Sequence, residues 1–319
     1  MLKRHLMRAV WRNTPSNRHK KERYMADKIT HISTADGRVL RFAETGHLDG
    51  IPVFIHGGTP GSYVFFAPWV EEAERLGIRL IGHDRPGYGE STPFPSRNVA
   101  SVANDVAAIA KHLGLKRLAT VGASGGGPHA LACAALLPEL ITAAVVMESV
   151  APYPAEGLDW FANMDEGTTA EFRAAVQGRD AMTAFVIAAA AGLVNVPLDT
   201  MIEWFRSMSS SADDDDAILE ATARWFFAAS REGLKQGNDG WIDDDLAFCT
   251  PWGFDLAQIR VPTLLLHGVQ DTMVPIAHSR WMAEQIPGVE TSYFDHENHG
   301  TLFGRQAPVA LTWLVSRMQ

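Results

Sequence analysis

Ser124 sits in Gly122-Ala123-Ser124-Gly125-Gly126, a G-x-S-x-G string. The apolar run 118–121 before it reads as a buried strand. The Ala- and Leu-rich run 128–137 after it, closed by Pro138, reads as a helix. The serine therefore falls on a strand-to-helix turn, the setting of a nucleophile elbow. Glycines suit such a turn because strand and helix backbones nearly touch there. The following helix points its first N–H groups at any charge that develops beside the serine. The plainer reading is a Gly/Ser-rich turn with no chemistry.

A serine hydroxyl is a weak nucleophile near neutral pH. It needs a base within hydrogen-bond reach, and the base needs an orienting carboxylate. Both should lie in loops at the C-terminal ends of strands, on the same sheet edge as Ser124. His299 follows an expected strand at 290–294, and Asp271 follows one at 261–267. The chain order is then Ser124, Asp271, His299. Acyl transfer also calls for two oxyanion donors. One is the N–H of Gly125. The second should come from the loop after an expected strand at 51–55. Pro60 has no N–H, which leaves Gly58, the favoured donor, and Thr59.

The chain has 12 histidines, so His299 has rivals. His296 lies in the same loop and could pair with His299 on a metal. The flanking Asn298 and Gly300 favour His299 as the base. His267, His83 and His129 read as packing residues, and His56 as a brace for its own loop. Glu148, at the end of the strand after the elbow helix, is the main rival to Asp271, with Asp295 behind it. The runs 213–216 and 243–245 are acidic and read as helix starts, where carboxylates are favoured. Neither has the alternating spacing of a calcium loop.

Around these residues strands alternate with helices, which implies a parallel sheet with helices on both faces. A hairpin is expected over 30–44 around Asp36-Gly37. A Gly-rich loop at 56–62 is expected to open a helix to Leu76, and helical periodicity runs from Asn98 to Leu113. The rhythm breaks at Pro152, and the stretch to Thr250 reads as helical, with four of the nine tryptophans: Trp160, Trp204, Trp225 and Trp241. They could line an apolar acyl pocket, although packing between helices should account for most. The domain reading is a basic extension at 1–27, a core at 28–151 and 251–319, and a helical insertion at 152–250.

The length, 319 residues with 46% hydrophobic and 20% charged, suits one large domain with an insertion. The net charge of −9 argues against a general nucleic-acid binder. Residues 1–28 carry nine Lys or Arg against two acids, so the basic start is set against a strongly acidic remainder. That start could form a short amphipathic helix, and it lacks the apolar stretch of a secretory signal. No apolar run reaches membrane-spanning length; 181–196 comes closest and reads as a buried helix. Cys133 and Cys249 stand far apart, without C-x-x-C spacing, which fits a reducing cytoplasm.

Five stretches together make the chain resemble the α/β-hydrolase superfamily: 56–61, 84–91, the Ser124 elbow, 267–275 and 298–300. The resemblance implies an eight-stranded, mostly parallel sheet with a helical cap inserted after strand 6, and a Ser124–Asp271–His299 triad. Residues 243–248 and 251–254 are similar to a group of bacterial hydrolases mostly of unassigned substrate. The loop at 56–61 resembles the His-Gly-Gly-Pro-Gly of proline iminopeptidases, but Thr59 interrupts it. A bulky residue often follows the serine in this superfamily, so Gly125 implies wider space beside the nucleophile. The expected activity is hydrolysis of a carboxylic ester on a small to medium apolar substrate, with no metal or organic cofactor. Homo-oligomers are compatible with it. Alternatives are a C–C bond hydrolase, an aminopeptidase using Glu156, Asp159 or Glu203, and a non-catalytic receptor. An aspartate nucleophile, as in haloalkane dehalogenases and epoxide hydrolases, is disfavoured by Ser124.

Overall fold

The computed structural model describes residues 26–208 and 216–318. The basic start of the chain and Asp213 to Asp215 lie outside the described residues.

Eight strands form one sheet in the order β1-β2-β4-β3-β5-β6-β7-β8. β1 (Lys28–Ser33) and β2 (Val39–Gly46) form the expected hairpin, and β2 also runs antiparallel to β4 (Ile78–His83). β3 (Ile51–His56), β4, β5 (Leu118–Ala123), β6 (Ile141–Met147), β7 (Thr263–Gly268) and β8 (Glu290–Phe294) are parallel. β5 and β7 are buried at every position, as strands covered on both faces must be.

The helices pack on both faces. α1 (Ala67–Leu76), α10 (Leu302–Arg305) and α11 (Ala307–Met318) share one apolar cluster with one side of the sheet. α2 (Val102–His112), α3 (Gly127–Leu136) and α9 (Ala277–Gln285) contribute to the cluster on the other. α1 starts only at Ala67, so the Gly-rich loop does not open it directly; residues 57–66 run as irregular backbone first. α2 is preceded by a 3-10 turn, Val99–Ser101, capped by Asn98.

Between β6 and β7 the described chain forms five helices: α4 (Glu166–Gln177), α5 (Arg179–Asn195), α6 (Leu198–Ser207), α7 (Asp216–Gly233) and α8 (Asp239–Phe248). They form the cap. Two sequence expectations fail here. α5 is not buried all round: it buries a single stripe, Met182, Val186 and Ala190, at intervals of four, while Ile187 is 58% exposed. Small alanines let one narrow stripe suffice for packing. Asp243, Asp244 and Asp245 do not start a helix. They lie within α8 and are buried: Arg179 pairs with Asp243 and Arg85 and Arg97 with Asp244, while burial and then Glu171 push Asp245 well above the usual carboxylate range and favour its neutral form. Among the described residues no single helix is long and apolar enough to cross a membrane.

The sheet brings six loops to one edge. The C-terminal ends of β4, β3, β5, β6, β7 and β8 lead into Arg85, Gly58, Ser124, Glu148, Asp271 and His299. The turn at Ser124 depends on bare backbone. A Cβ on Gly126 would collide with the carbonyls of His56 and Gly57, and one on Gly122 with the carbonyl of Gly126. Gly126→Ala should therefore cost about 1–3 kcal/mol through overpacking, read as a lower midpoint in denaturant unfolding. An unchanged midpoint would contradict the close approach.

Candidate active site

Ser124 has φ 51°, in the left-handed region that a side chain rarely occupies. It opens a 3-10 turn, Ser124–Gly126, that runs straight into α3. The strain turns the hydroxyl off the end of β5 and toward the β8 loop. His299 Nε2 lies 3.1 Å from Ser124 Oγ, and His299 Nδ1 lies 2.7 Å from Asp271 Oδ2. The backbone N–H groups of Met273 and Val274 each donate to Asp271 Oδ1 at 2.9 Å. Both carboxylate oxygens of Asp271 are thus engaged, and its orientation is fixed.

Burial works to raise the Asp271 carboxyl. The charge of His299, with hydrogen bonds from His267 and His299, outweighs it and holds Asp271 below the ordinary carboxylate range. Burial works to lower the His299 imidazole. Asp271, by its charge and its hydrogen bond, outweighs it and raises His299 above its usual value.

Glu148 is the second carboxyl at this edge. It has φ 42° and is 2% exposed, and its Oε2 has no hydrogen-bond partner. Burial pushes it well above the usual carboxylate range. Glu148, Asp271 and His299 offer ligand atoms within 4.8 Å of one another. The Nδ1 of His299 is engaged by Asp271 and its Nε2 by Ser124 Oγ, so a cation on either nitrogen would compete with one of those contacts. Asp271, not Glu148, makes the hydrogen bond to His299.

A cavity of about 90 Å³ opens above Ser124, room for a handful of waters or an acyl group of similar bulk. Trp204, Phe205, Trp225, Phe226, Met273 and Phe303 supply its apolar lining, and Glu148 and His299 its ionisable groups. Two of the four cap tryptophans thus face the cavity. The other two pack: Trp160 stacks edge-on against Phe172 and His278, and Trp241 donates to Glu171. Glu156, Asp159 and Glu203 are exposed and none of them lines the cavity.

Gly58 and Gly125 lie beside the serine. A Cβ on Gly58 would stand 3.4 Å from Ser124 Cβ. A Cβ on Gly125 would run into Oγ1 and Cβ of Thr59. The space left by Gly125 is therefore not free, against the expectation of a wider site: the Thr59 side chain fills it.

The family model of the alpha/beta hydrolase fold matches residues 51–305. The chain belongs to that family. It is similar to a non-heme chloroperoxidase of Streptomyces lividans, with 26% identity over 85% of this chain and 93% of that protein. It is also similar to a bifunctional esterase/perhydrolase of Acinetobacter calcoaceticus, with 25% identity over 77% of this chain and 83% of the relative. A bromoperoxidase from Bacillus anthracis shares the fold at TM-score 0.65 and 21% identity, over 91% of this chain and all of that one.

On this α/β-hydrolase frame the histidines weighed against His299 do not contact Ser124 Oγ. His296 is exposed and lies outside the cavity. His267 Nε2 contacts the Val274 carbonyl at 2.7 Å and braces the Asp271 loop. Burial lowers His56, His83 and His129, which keeps them neutral. Two residues that contact the loop beside Ser124, Arg85 and Asp244, escaped the sequence. Arg85 lies in the 84–91 stretch, where nothing local marks it apart from the motif. Asp244 lies in an acidic run read as a helix start.

The site predicts a titration. The His299 ring, followed by ¹H–¹⁵N NMR, should lose its proton above the ordinary histidine midpoint of about 6.5. Asp271→Asn should move that midpoint down, because burial would then act with less opposition. A wild-type midpoint at or below the ordinary value would contradict the charge balance described.

Proposed function

We propose that this protein is a serine hydrolase that cleaves carboxylic esters of small to medium, largely apolar substrates through an acyl-enzyme on Ser124. One observation carries the reading: a single imidazole contacts Ser124 Oγ at 3.1 Å through Nε2 and Asp271 at 2.7 Å through Nδ1. That is the geometry a general base requires.

In this reading His299 Nε2 takes the Ser124 proton as Oγ attacks the ester carbonyl carbon. The tetrahedral oxyanion is held by the N–H of Gly125 and of Gly58, or of Thr59. Collapse breaks the C–O bond, and His299 returns the proton to the departing alcohol. Water, deprotonated by His299, then attacks the acyl carbonyl and frees the acid. Asp271 orients the ring and stabilises the imidazolium at both stages. The cap helices, taken as residues 152–250, set the acyl pocket.

Two further points support an ester. The Acinetobacter calcoaceticus relative is, by its name, an esterase and perhydrolase. The cavity lining is aromatic, and the cap carboxylates that would hold an aminopeptidase substrate's ammonium lie outside it. The size of the cavity favours short acyl chains over long ones.

Ser124→Ala should lower turnover of a short p-nitrophenyl ester roughly a million-fold, and a fluorophosphonate probe should label the wild type at Ser124 alone. Near-wild-type hydrolysis by the mutant would end the proposal. Because the neutral imidazole is the base and its proton is held tightly, kcat/KM should climb with pH through a midpoint above about 6.5. A profile flat from pH 5 to 8 would contradict His299 as the base.

A further inference from the structure

Beyond the triad, one buried network reaches from the cap to the loop beside Ser124. Asp244, midway along cap helix α8, is fully buried, and its carboxylate is saturated with partners. Its Oδ2 accepts from Arg85 Nη2 at 2.6 Å, from Thr59 Oγ1 at 2.9 Å and from Tyr88 Oη at 2.9 Å. Its Oδ1 meets Arg97 Nη1 at 2.7 Å and His129 Nε2 at 3.3 Å. Burial opposes ionisation, but Arg85 and Arg97 outweigh it and keep Asp244 charged.

Arg85 is the other half of the device. With Asp244 holding one side of its guanidinium, its Nη1 donates to the Gly57 carbonyl at 2.5 Å and its Nη2 to the Gly58 carbonyl at 2.8 Å. Nη2 also donates to Thr59 Oγ1 at 3.1 Å. Neither the Gly57–Gly58 nor the Gly58–Thr59 peptide is cis. In a trans peptide the N–H points opposite to the carbonyl. Pinning the carbonyls of Gly57 and Gly58 on Arg85 therefore turns the N–H groups of Gly58 and Thr59 to the other side of the loop. Among the described residues no protein acceptor takes either N–H. Gly58 lies against Ser124, and Thr59 lies against Gly125.

We infer that Arg85, locked by Asp244 from the cap, is a positioning residue that sets the two peptide planes from one of which the second oxyanion donor, the N–H of Gly58 or of Thr59, projects beside that of Gly125, with the Thr59 hydroxyl as the link between Arg85 and Asp244. The inference rests on the serine-hydrolase reading. Preset dipoles aimed at the oxyanion account for much of the rate in acyl transfer, and losing one donor typically costs about 10²–10³ in turnover. A pair of planes free to rotate should cost a comparable factor without changing how the ground-state ester binds.

The test begins with the wild type, whose labelling at Ser124 by a fluorophosphonate settles the underlying reading separately. An unlabelled Ser124 would overturn that reading and this inference together. Given labelling, Arg85→Lys keeps a positive charge beside Asp244 but loses the fork that reaches both carbonyls. On a p-nitrophenyl ester its kcat should fall about 10²–10³-fold with KM changed less than about threefold. Affinity for an alkyl boronic acid, whose serine adduct is tetrahedral and anionic, should fall by a similar factor. Thr59→Val should cost about tenfold in kcat, the equivalent of one charge-assisted hydrogen bond. Thr59→Ser, which restores the hydroxyl, should recover most of that loss. Asp105→Asn serves as the control. It weakens a buried pair, Arg38 Nη2 to Asp105 Oδ1 at 2.7 Å, remote from the cavity, and should lower the melting temperature with kcat kept. Folded Arg85→Lys with kcat within threefold of wild type would overturn the inference, as would a loss in KM alone or an equal kcat loss in Asp105→Asn. Should Arg85→Lys fail to fold, equal activity of Thr59→Val and Thr59→Ser would overturn it.

Discussion

The site depends on one cramped piece of backbone. Strand β5 and helix α3 meet at Ser124 with almost no chain between them, and the β3 loop is pressed against the same point. Gly126 touches the carbonyls of His56 and Gly57, and Ser124 takes a left-handed conformation because neither neighbour leaves room for another. Such strain persists only where the surroundings over-determine it. Here the fully buried strand β5, its partly buried neighbour β3 and an apolar helix do so. With the serine fixed, the parallel sheet lines up the ends of β6, β7 and β8 beside it, and the three ionisable groups arrive in order along one edge.

Electrostatics then divides two carboxyls that share that edge. Asp271 receives two backbone N–H groups and an imidazole, and it stays ionised. Glu148, one strand nearer the serine, has an oxygen with no partner and a buried setting, which favours its neutral form. Two acids in contact range of one histidine would repel if both were charged; unequal hydrogen bonding separates their states instead. The arrangement also explains why the sequence left the two as rivals. Both end parallel strands, and only the loop after β7 supplies the N–H donors that keep a carboxylate charged.

Local pattern made much of the rest legible. The elbow, the alternation of strands and helices, the hairpin at Asp36-Gly37 and the break at Pro152 all depend on nearby residues, and all appear in the fold. Ser124 and Asp271 could be named because each follows a strand whose apolar run is plain; His299 follows the more polar β8 and was marked by its neighbours Asn298 and Gly300. What escaped depends on contacts between distant segments. Nothing in the order of residues links Thr59, Arg85 and Asp244, which lie on a loop, a second loop and a cap helix. An acidic triplet looks like a solvated helix start until cations are known to meet two of its members. Gly125 looked like vacant space for the same reason, since the side chain that fills it comes from the β3 loop. Helix α5 misled through composition: alanine raises hydropathy without demanding burial.

Insertions after the sixth strand are natural units for swapping, since their ends lie close together and the sheet closes beneath them. In this chain the exchange carries a hidden dependency. Asp244 is the counter-charge for Arg85 and Arg97, both of which belong to the core and are almost wholly enclosed. A transplanted cap without an acid at that place would leave two guanidinium groups facing apolar surroundings, so the donor segment must bring its own anion or the recipient must give up its arginines. The cap of this protein is thus as much an ionic component of the core as a cover for it, and homologous recombination would be constrained to keep the three residues as one inherited set.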